Sequence, residues 1–289
     1  MFCGGQKRVK PYNIGRKAVS LELGGAPQGG LMGHQVATAM PKPDRFWDLY
    51  SKYYDAILPL MPYRKLLWDA YDALDLAPGM KVLDAGCGTG NFEAFISEKN
   101  PPRIEIVAVD FSASMLAVAR EKCRLLDWVS FSLGNLNTRL PYPDDSFDCI
   151  VSINVMYALE DWDETMHEFL RVLKPHGVMV LTSSAPDFRA GPLIADHIRR
   201  IRNIWGFSRK VRSLVSAAWV WSTSGVAAAM LNIFVIDRRE AQGRYLSLDK
   251  AAVCEFLERN VPRGLDSYDV GLAMAGQNFF ARATKAATA

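Results

Sequence analysis

The sequence contains little from which a metal centre or a disulfide framework could be built. Its cysteines are scattered and form no C-x-x-C pair: Cys3, Cys87, Cys123, Cys149 and Cys254. The four histidines form no H-x-x-x-H pair, the helical spacing that many zinc sites use. Scattered cysteines of this kind are typical of proteins in a reducing compartment. We therefore predict a cytoplasmic protein without a metal site.

The sequence also lacks a large net charge. A net charge of +3 over 289 residues is too small to favour nucleic acid as a general partner. Residues 1–40 are rich in glycine and basic residues and contain no apolar run long enough for a signal peptide, so we expect a disordered extension there. Apolar residues make up 49% of the chain, enough for the core of one large domain, predicted over 41–289.

One glycine-rich run, VLDAGCGTG from Val82 to Gly90, is the most informative part of the chain. It predicts a buried strand that ends at an aspartate and enters a tight turn, with a helix behind it. Such a turn lets the backbone approach a nucleotide at the carboxyl end of a parallel strand. A dinucleotide fingerprint placed on this run would need glycine at position 91, which is Asn91, and no Gly-Lys-Ser/Thr follows for a phosphate loop.

Further segments follow the glycine turn in a fixed order. They are the strand pattern Ile104–Asp110, Gly134-Asn135-Leu136, the segment Leu140–Asp148 leading into the strand Cys149–Ser152, a helix pattern ending in Phe169–Gly177, and the strand Val178–Thr182. Together, over roughly residues 45–184, this set resembles the class I S-adenosylmethionine-dependent methyltransferases, in the group of the ubiquinone and menaquinone methyltransferases.

The resemblance implies a fold and a cofactor. The fold is α/β, a Rossmann-like doubly wound sheet of seven mainly parallel strands. It ends in an antiparallel hairpin, here Ser267–Met274 and Asn278–Ala283. Residues 188–243, after the fifth strand, lie outside the shared pattern. Because loops at the carboxyl ends of strands face the ligand in this architecture, we predict that this insertion is a helical lid. The cofactor is S-adenosyl-L-methionine, and the product left after transfer is S-adenosyl-L-homocysteine.

Carried over position by position, the family pattern also implies cofactor-binding residues. They are Tyr54, Asp84, Gly86, Cys87, Gly88, Gly90, Asp110, Phe111, Met115, Asn135, Leu136 and Asn154. The turn would hold the amino acid half of the cofactor, and Asp110 would bind the ribose. Phe111, Met115 and the Asn135-Leu136 pair would meet the adenine. Tyr54 and Asn154 would line the methionine side.

Methyl transfer depends mainly on alignment of the acceptor with the S–CH₃ bond. A base is needed only where the acceptor must lose a proton. Tyr157, after the fourth strand, and His197, in the insertion, are the candidates for that role. For each of them a purely structural role is the stronger alternative.

What the sequence indicates about the methyl acceptor comes from the insertion, residues 188–243. Residues 189–212 hold seven arginines or lysines against one acid, Asp196, and residues 213–236 carry no charge. The uncharged stretch could span a membrane, cap an apolar pocket, or rest at a membrane interface. Its polar centre, Ser222–Gly225, disfavours a span. The other two interpretations both predict a hydrophobic acceptor, and the last adds peripheral contact of 189–236 with the inner face of the membrane.

The sequence thus predicts a methyltransferase that acts on a hydrophobic small molecule, such as a lipid or quinone at the membrane surface. One alternative is a soluble natural-product methyltransferase with an aromatic or polyketide-type acceptor. Another is a cofactor-binding but inactive partner subunit. The sequence predicts neither the acceptor atom nor the oligomeric state.

Overall fold

Seven strands form one sheet in the computed structural model, which describes residues 45–185, 188–204 and 250–287. The strands are β1 Lys81–Ala85, β2 Glu105–Asp110, β3 Val129–Leu133, β4 Phe147–Ile153, β5 Leu173–Ser184, β6 Leu265–Ala273 and β7 Asn278–Lys285. Their order across the sheet is β3-β2-β1-β4-β5-β7-β6. β1 to β5 run parallel, while β7 lies antiparallel to both β5 and β6. This confirms the predicted doubly wound sheet with its antiparallel hairpin.

Helices alternate with the strands along the chain. They are α1 Arg45–Tyr50, a 3-10 helix Tyr54–Ile57, α2 Met61–Ala73, α3 Asn91–Ser97, α4 Ala113–Lys122, α5 Trp162–Val172, α6 Ala190–Ile204 and α7 Lys250–Asn260. Polar side chains start two of them: Ser112 accepts from the Met115 N–H at 3.3 Å, and Asp161 accepts from the Glu164 N–H at 3.0 Å. Such caps satisfy amides that have no partner within the helix.

The core consists of two apolar layers, one on each face of the sheet. Neighbouring residues of one strand point to opposite faces, so Leu83 joins the layer that contains Phe169 of α5, while Val82 joins the layer that contains Leu66 of α2. β1 and β4 lie in the middle and are buried on both faces, as continuous apolar runs in parallel sheets predict. The carboxyl edge of the sheet is left to polar side chains.

One predicted boundary is wrong. The helix pattern was expected to extend to Gly177, but α5 ends at Val172 and β5 begins at Leu173. His176 has a left-handed φ of 61°, which a continuing helix does not allow. The register between β4 and β5 also shifts between Phe147 and Cys149. β5 therefore starts earlier than the predicted strand Val178–Thr182, with an irregular, bulged segment that begins at Leu173.

The insertion begins with α6, which packs against α2 and against the turn between β6 and β7. Both contacts lie at the carboxyl edge of the sheet, where the glycine turn also lies. The remainder of the predicted lid, from residue 205 to its end at 243, lies outside the described residues, as does the predicted extension 1–40. In the part of the chain that is described, no helix is long and apolar enough to cross a membrane.

Candidate cofactor site

The three glycines of the turn have left-handed backbones, but they face different surroundings. A Cβ on Gly86 (φ 88°) would lie 2.3 Å from Cγ2 of Val155. A Cβ on Gly90 (φ 75°) would lie 3.1 Å from the Cβ of Ala119 in α4. Gly88 (φ 56°) has only the Tyr54 ring near it, at 3.8 Å. Gly86 and Gly90 therefore let parts of the protein pack closely, and Gly88 is the glycine that leaves room for a ligand.

The turn is held against β2 by its own amides. The N–H groups of Gly86 and Cys87 both donate to the carbonyl of Val109, at 2.7 and 3.0 Å. The Cys87 thiol is buried, and burial, followed by nearby carboxylates, raises its pKa well above the usual value. Cys87 therefore presents a neutral thiol, and its contact with the cofactor remains a prediction.

Asp110 ends β2 beside the turn, as predicted. Its two carboxylate oxygens accept from the Gly88 N–H at 2.9 Å and from the Ser112 N–H at 2.8 Å. Burial raises the pKa of Asp110 to about 6, although these N–H donors act in the opposite direction. A buried carboxylate with lone pairs beyond those two bonds is suited to accept ribose hydroxyls.

Residues 47–55 form an aromatic cover over the turn. Trp47 meets the ring of Phe111 edge to face at 5.5 Å, and Tyr50 packs on Tyr54 at 5.4 Å between ring centres. The structure thus brings Tyr54 onto Gly88 and gives Phe111 an aromatic neighbour, while their contacts with the cofactor remain predictions.

The aromatic cover is fastened by a residue that the sequence prediction missed. Asp55 accepts from the Thr89 hydroxyl at 2.6 Å and pairs with the Lys122 ammonium at 2.7 Å. Lys122 also donates to the Asn91 side chain at 2.5 Å. The position of Asp55 directly after Tyr54 was an available signal. Lys122 gave none, because only the fold brings α4 to the turn.

Some of the groups that are predicted to contact adenine already form hydrogen bonds within the protein or are buried in its core. The Asn135 side-chain oxygen accepts from both nitrogens of Asn137, at 3.0 and 3.2 Å. Leu136 is buried in the core, and its carbonyl accepts from Thr165 at 3.2 Å. Met115 is buried on α4. The contacts of these residues with adenine remain predictions, for which Asn135 has its amide hydrogens to offer.

Asn154 joins three strands at the carboxyl edge. Its side-chain oxygen accepts from Asn278 at 2.6 Å and from the Thr182 hydroxyl at 3.4 Å. Its backbone is left-handed, with φ 58°. The sequence prediction missed Asn278, which opens β7. The proposed place of Asn154 on the methionine side remains a prediction, since its oxygen already has two donors.

The two candidate bases lie in protected positions. Tyr157 is buried in a short 3-10 helix after β4. His197 is buried, and its Nδ1 accepts from the Met61 N–H at the start of α2, at 3.1 Å. Burial lowers the pKa of His197, so the ring stays neutral and anchors α6 to α2. A catalytic role for either residue remains a prediction.

The predicted strand end at Asp84 is one residue short, because β1 continues to Ala85, and Asp84 has an unpredicted neighbour. Asp84 is buried, and its pKa is raised well above the usual value by burial and then by the nearby carboxyl of Glu93. No group of three or more metal-ligating side chains is found among the residues that the structure describes. The donor set at this edge therefore consists of backbone amides, aromatic rings and carboxylates, which suits a nucleoside with an amino acid tail.

Comparison with known proteins gives the class of this fold and site. The model of the family described as "Methyltransferase domain" matches residues 76–212. A solved S-adenosylmethionine-dependent methyltransferase from Aquifex aeolicus superposes with a TM-score of 0.53 at 18% identity, covering 82% of this chain and 98% of that one. At this identity the likeness shows the shared fold.

Sequence relatives give the group. The ubiquinone/menaquinone biosynthesis C-methyltransferase UbiE of Edwardsiella ictaluri is 31% identical over 177 residues, which are 57% of this chain and 69% of the relative. Methyltransferase GfsG of Streptomyces halstedii is 40% identical over 114 residues, which are 38% of this chain and 40% of the relative.

The chain belongs to the class I S-adenosylmethionine-dependent methyltransferases. Within them it falls in the group of the ubiquinone and menaquinone methyltransferases. The predicted family, fold and cofactor are thereby confirmed. The chain spans about half the length of the first curated relatives that it matches.

Proposed function

We propose that this protein is an enzyme that transfers the methyl group of S-adenosylmethionine to a hydrophobic small molecule. The observation that carries the proposal is the open face of Gly88, which lies between the Asp110 carboxylate and the Tyr54 ring. Other parts of the protein occupy the space beside Gly86 and Gly90. Within the turn, a ligand can therefore approach the backbone closely at Gly88. When bound there, the cofactor supplies an electrophilic methyl group.

The residues of the chain contribute position and exclusion of water. Asp110 would hold the ribose, and the aromatic cover would close over the cofactor with Tyr54 against the turn. Asp55 fixes that cover to Thr89 and Lys122. Orientation of this kind can lower a barrier by about 7–11 kcal/mol. An acceptor such as a quinol loses one proton when it gains the methyl group, and that proton would pass to a base or to water. Tyr157 and His197 remain the candidates for such a base.

The acceptor that we propose is a lipid or quinone at the membrane surface. Two observations support it: relatives of the chain are named as ubiquinone/menaquinone C-methyltransferases, and the insertion starts at the ligand edge of the sheet. Arg199 is largely exposed on α6, and the uncharged stretch 213–236 follows in sequence. Arginines beside an apolar stretch suit an interface with anionic lipid.

Transfer of a radiolabelled methyl group into fractionated cell extract tests the proposal. We expect label in the lipid phase with the natural chain and with the surface control Asp266→Asn, and strongly reduced label with Asp110→Asn. The full chain should also pellet with anionic liposomes. Label in the aqueous phase together with a protein that stays in the supernatant would instead favour the soluble natural-product methyltransferase. Tight cofactor binding without any transfer would favour the inactive partner subunit.

A further inference from the structure

Asn91 occupies the position where a dinucleotide fingerprint would need glycine, and the proposed function gives it no role. It is the first residue of α3, directly after the glycine turn, and only 3% of it is exposed. Its side-chain oxygen accepts from the Lys122 ammonium at 2.5 Å, and its side-chain nitrogen lies 3.5 Å from the Tyr63 hydroxyl. One buried amide therefore joins the start of α3 to both α4 and α2.

The orientation of the Asn91 amide follows from the chemistry of its two partners. The Lys122 ammonium can only donate hydrogen bonds, so the side-chain oxygen of Asn91 must face it. The NH₂ group therefore faces Tyr63 and donates to the Tyr63 oxygen. Lys122 also donates to the Thr89 hydroxyl at 3.3 Å and pairs with Asp55 at 2.7 Å. The Asp55 end of the aromatic cover is thus linked to α2 through Lys122 and Asn91.

The Tyr63 hydroxyl also meets the other end of this contact, at Tyr54 of the aromatic cover. Tyr63 is buried on α2. Burial, and then the neighbouring Tyr63, raise the pKa of Tyr54 well above its usual value. Burial also raises the pKa of Tyr63, but hydrogen bonds with Asn91 and Tyr54 oppose that rise. Because a hydrogen bond raises the pKa of the phenol that donates it, Tyr54 is the donor and Tyr63 accepts from two sides.

These contacts form a closed path around one short segment of the cover. The path runs from Tyr54 through Tyr63, Asn91 and Lys122 to Asp55, which follows Tyr54 in the chain. Two neighbouring residues are thereby held by partners that are themselves joined. The buried end of this path, on α2, fixes the tyrosine, and the end on α4 fixes the acid.

We propose that Tyr63 is a positioning residue for cofactor binding, and that its oxygen holds the Tyr54 ring beside Gly88. The Tyr54 ring lies 3.8 Å from the position that a Cβ on Gly88 would take. Asn91 supports this arrangement by donating to the same Tyr63 oxygen. The inference rests on the proposed function, because it assigns the cofactor to the open face of Gly88. Tyr63 acts on the cofactor only through Tyr54.

A double-mutant cycle on the full chain tests this proposal, with the dissociation rate of S-adenosylhomocysteine measured by stopped-flow tryptophan fluorescence. Tyr63→Phe and Tyr54→Phe each remove one hydroxyl of the same hydrogen bond, so each should raise the dissociation rate about fivefold. The double variant should dissociate no faster than either single variant, because both lose the same interaction. Tyr71→Phe makes the same change further along α2 and should behave like the natural chain.

The contrary results separate this inference from the proposed function. If the natural chain binds S-adenosylhomocysteine but Tyr63→Phe releases it at the same rate, the inference is overturned and the proposed function stands. The same holds if the two effects multiply to about 25-fold, as independent structural roles would. Tyr54→Phe removes the bond from its other end, so an unchanged rate there overturns the inference even if Tyr63→Phe does not fold. If the natural chain does not bind S-adenosylhomocysteine, the proposed function fails as well.

Discussion

The two halves of the carboxyl edge use their polar groups differently. Along β1 and β2 the polar groups surround a glycine with room beside it, and the acids Asp84 and Asp110 are buried with raised pKa values. Along β4, β5 and β7 several polar groups bind one another, as Asn154 does with Asn278 and Thr182, although the buried Ser183 hydroxyl of β5 has no partner. The first half leaves room beside Gly88, and in the second half Asn154 and its partners hold strands together.

This difference indicates where the chemistry of the protein is fixed and where it varies. The half at β1 and β2 contains two buried acids with raised pKa values, Asp84 and Asp110, a costly feature that is frequent at binding sites. The half at β4 to β7 supplies a stable frame from which the insertion departs. A cofactor common to a family and an acceptor that differs among its members fit such a division.

The largest effect should come from filling a glycine in the first half. Gly86→Val places a side chain where a Cβ alone would already lie 2.3 Å from Val155, on a left-handed backbone. Overpacking and backbone strain should together lower the free energy of unfolding by about 3 kcal/mol or more. Gly271→Val is the control in the second half, because open space surrounds Gly271 in β6. Chemical denaturation measures both; equal midpoints would mean that Gly86 is not closely packed.

Removal of the charge at Asp110 should impair binding with a much smaller effect on folding. Asp110→Asn loses a charged acceptor for two ribose hydroxyls, so the Kd for S-adenosylhomocysteine should rise about 100-fold, or ~2.7 kcal/mol. Calorimetry measures the change, and Asp266→Asn on the surface should leave the Kd unaltered. An unaltered Kd for Asp110→Asn would mean that the ribose does not bind at Asp110. It would also contradict the proposed difference between the two halves of the carboxyl edge.

The raised pKa of Asp110 gives a pH dependence with a defined sign. The folded pKa of about 6 lies above the ordinary value of 3.8, so the stability contribution of Asp110 is full below the ordinary value and is lost as pH rises through 6. Ligand binding has the opposite sign, because the ribose requires the ionised form. The affinity for 5′-methylthioadenosine should therefore fall about tenfold per pH unit below 6. Asp110→Asn should flatten this profile, and a flat profile in the natural chain would refute the assignment.

The sequence predicted the first half well because its features are local in the chain. Asp84 lies at the end of β1, where the glycine turn begins, and Asp110 is the last residue of β2; the fold places these parallel strands side by side. What it missed depends on distant residues meeting in space. Lys122 reaches the turn from the end of α4, Asn278 reaches Asn154 across β5, and nothing in the sequence shows that Gly86 and Gly90 are packed by the protein itself.

Loss of the ion pair that holds the aromatic cover in place should have a moderate effect on ligand dissociation. Asp55→Asn removes the ion pair with Lys122, whose partly exposed geometry is worth about 1 kcal/mol or less. We expect the dissociation rate of S-adenosylhomocysteine to rise a few-fold, with little change in the free energy of unfolding. Stopped-flow fluorescence of the tryptophans measures this rate. Asp48→Asn, on the exposed face of α1, is the control. Equal dissociation rates for both variants would mean that the Asp55 contacts of the aromatic cover do not slow ligand release.

The smallest effect on binding is expected at the border between the two halves. Asn154→Gly keeps the left-handed backbone at φ 58° but removes the side chain that accepts from Asn278 and Thr182. Because that oxygen already accepts two hydrogen bonds from neighbouring strands, its loss should lower the free energy of unfolding by about 1 kcal/mol. The Kd for S-adenosylhomocysteine should change less than about threefold. Thermal unfolding and calorimetry on the same sample give both numbers. A tenfold loss of affinity would instead place Asn154 on the methionine side of the cofactor, and the division would then run between β4 and β5.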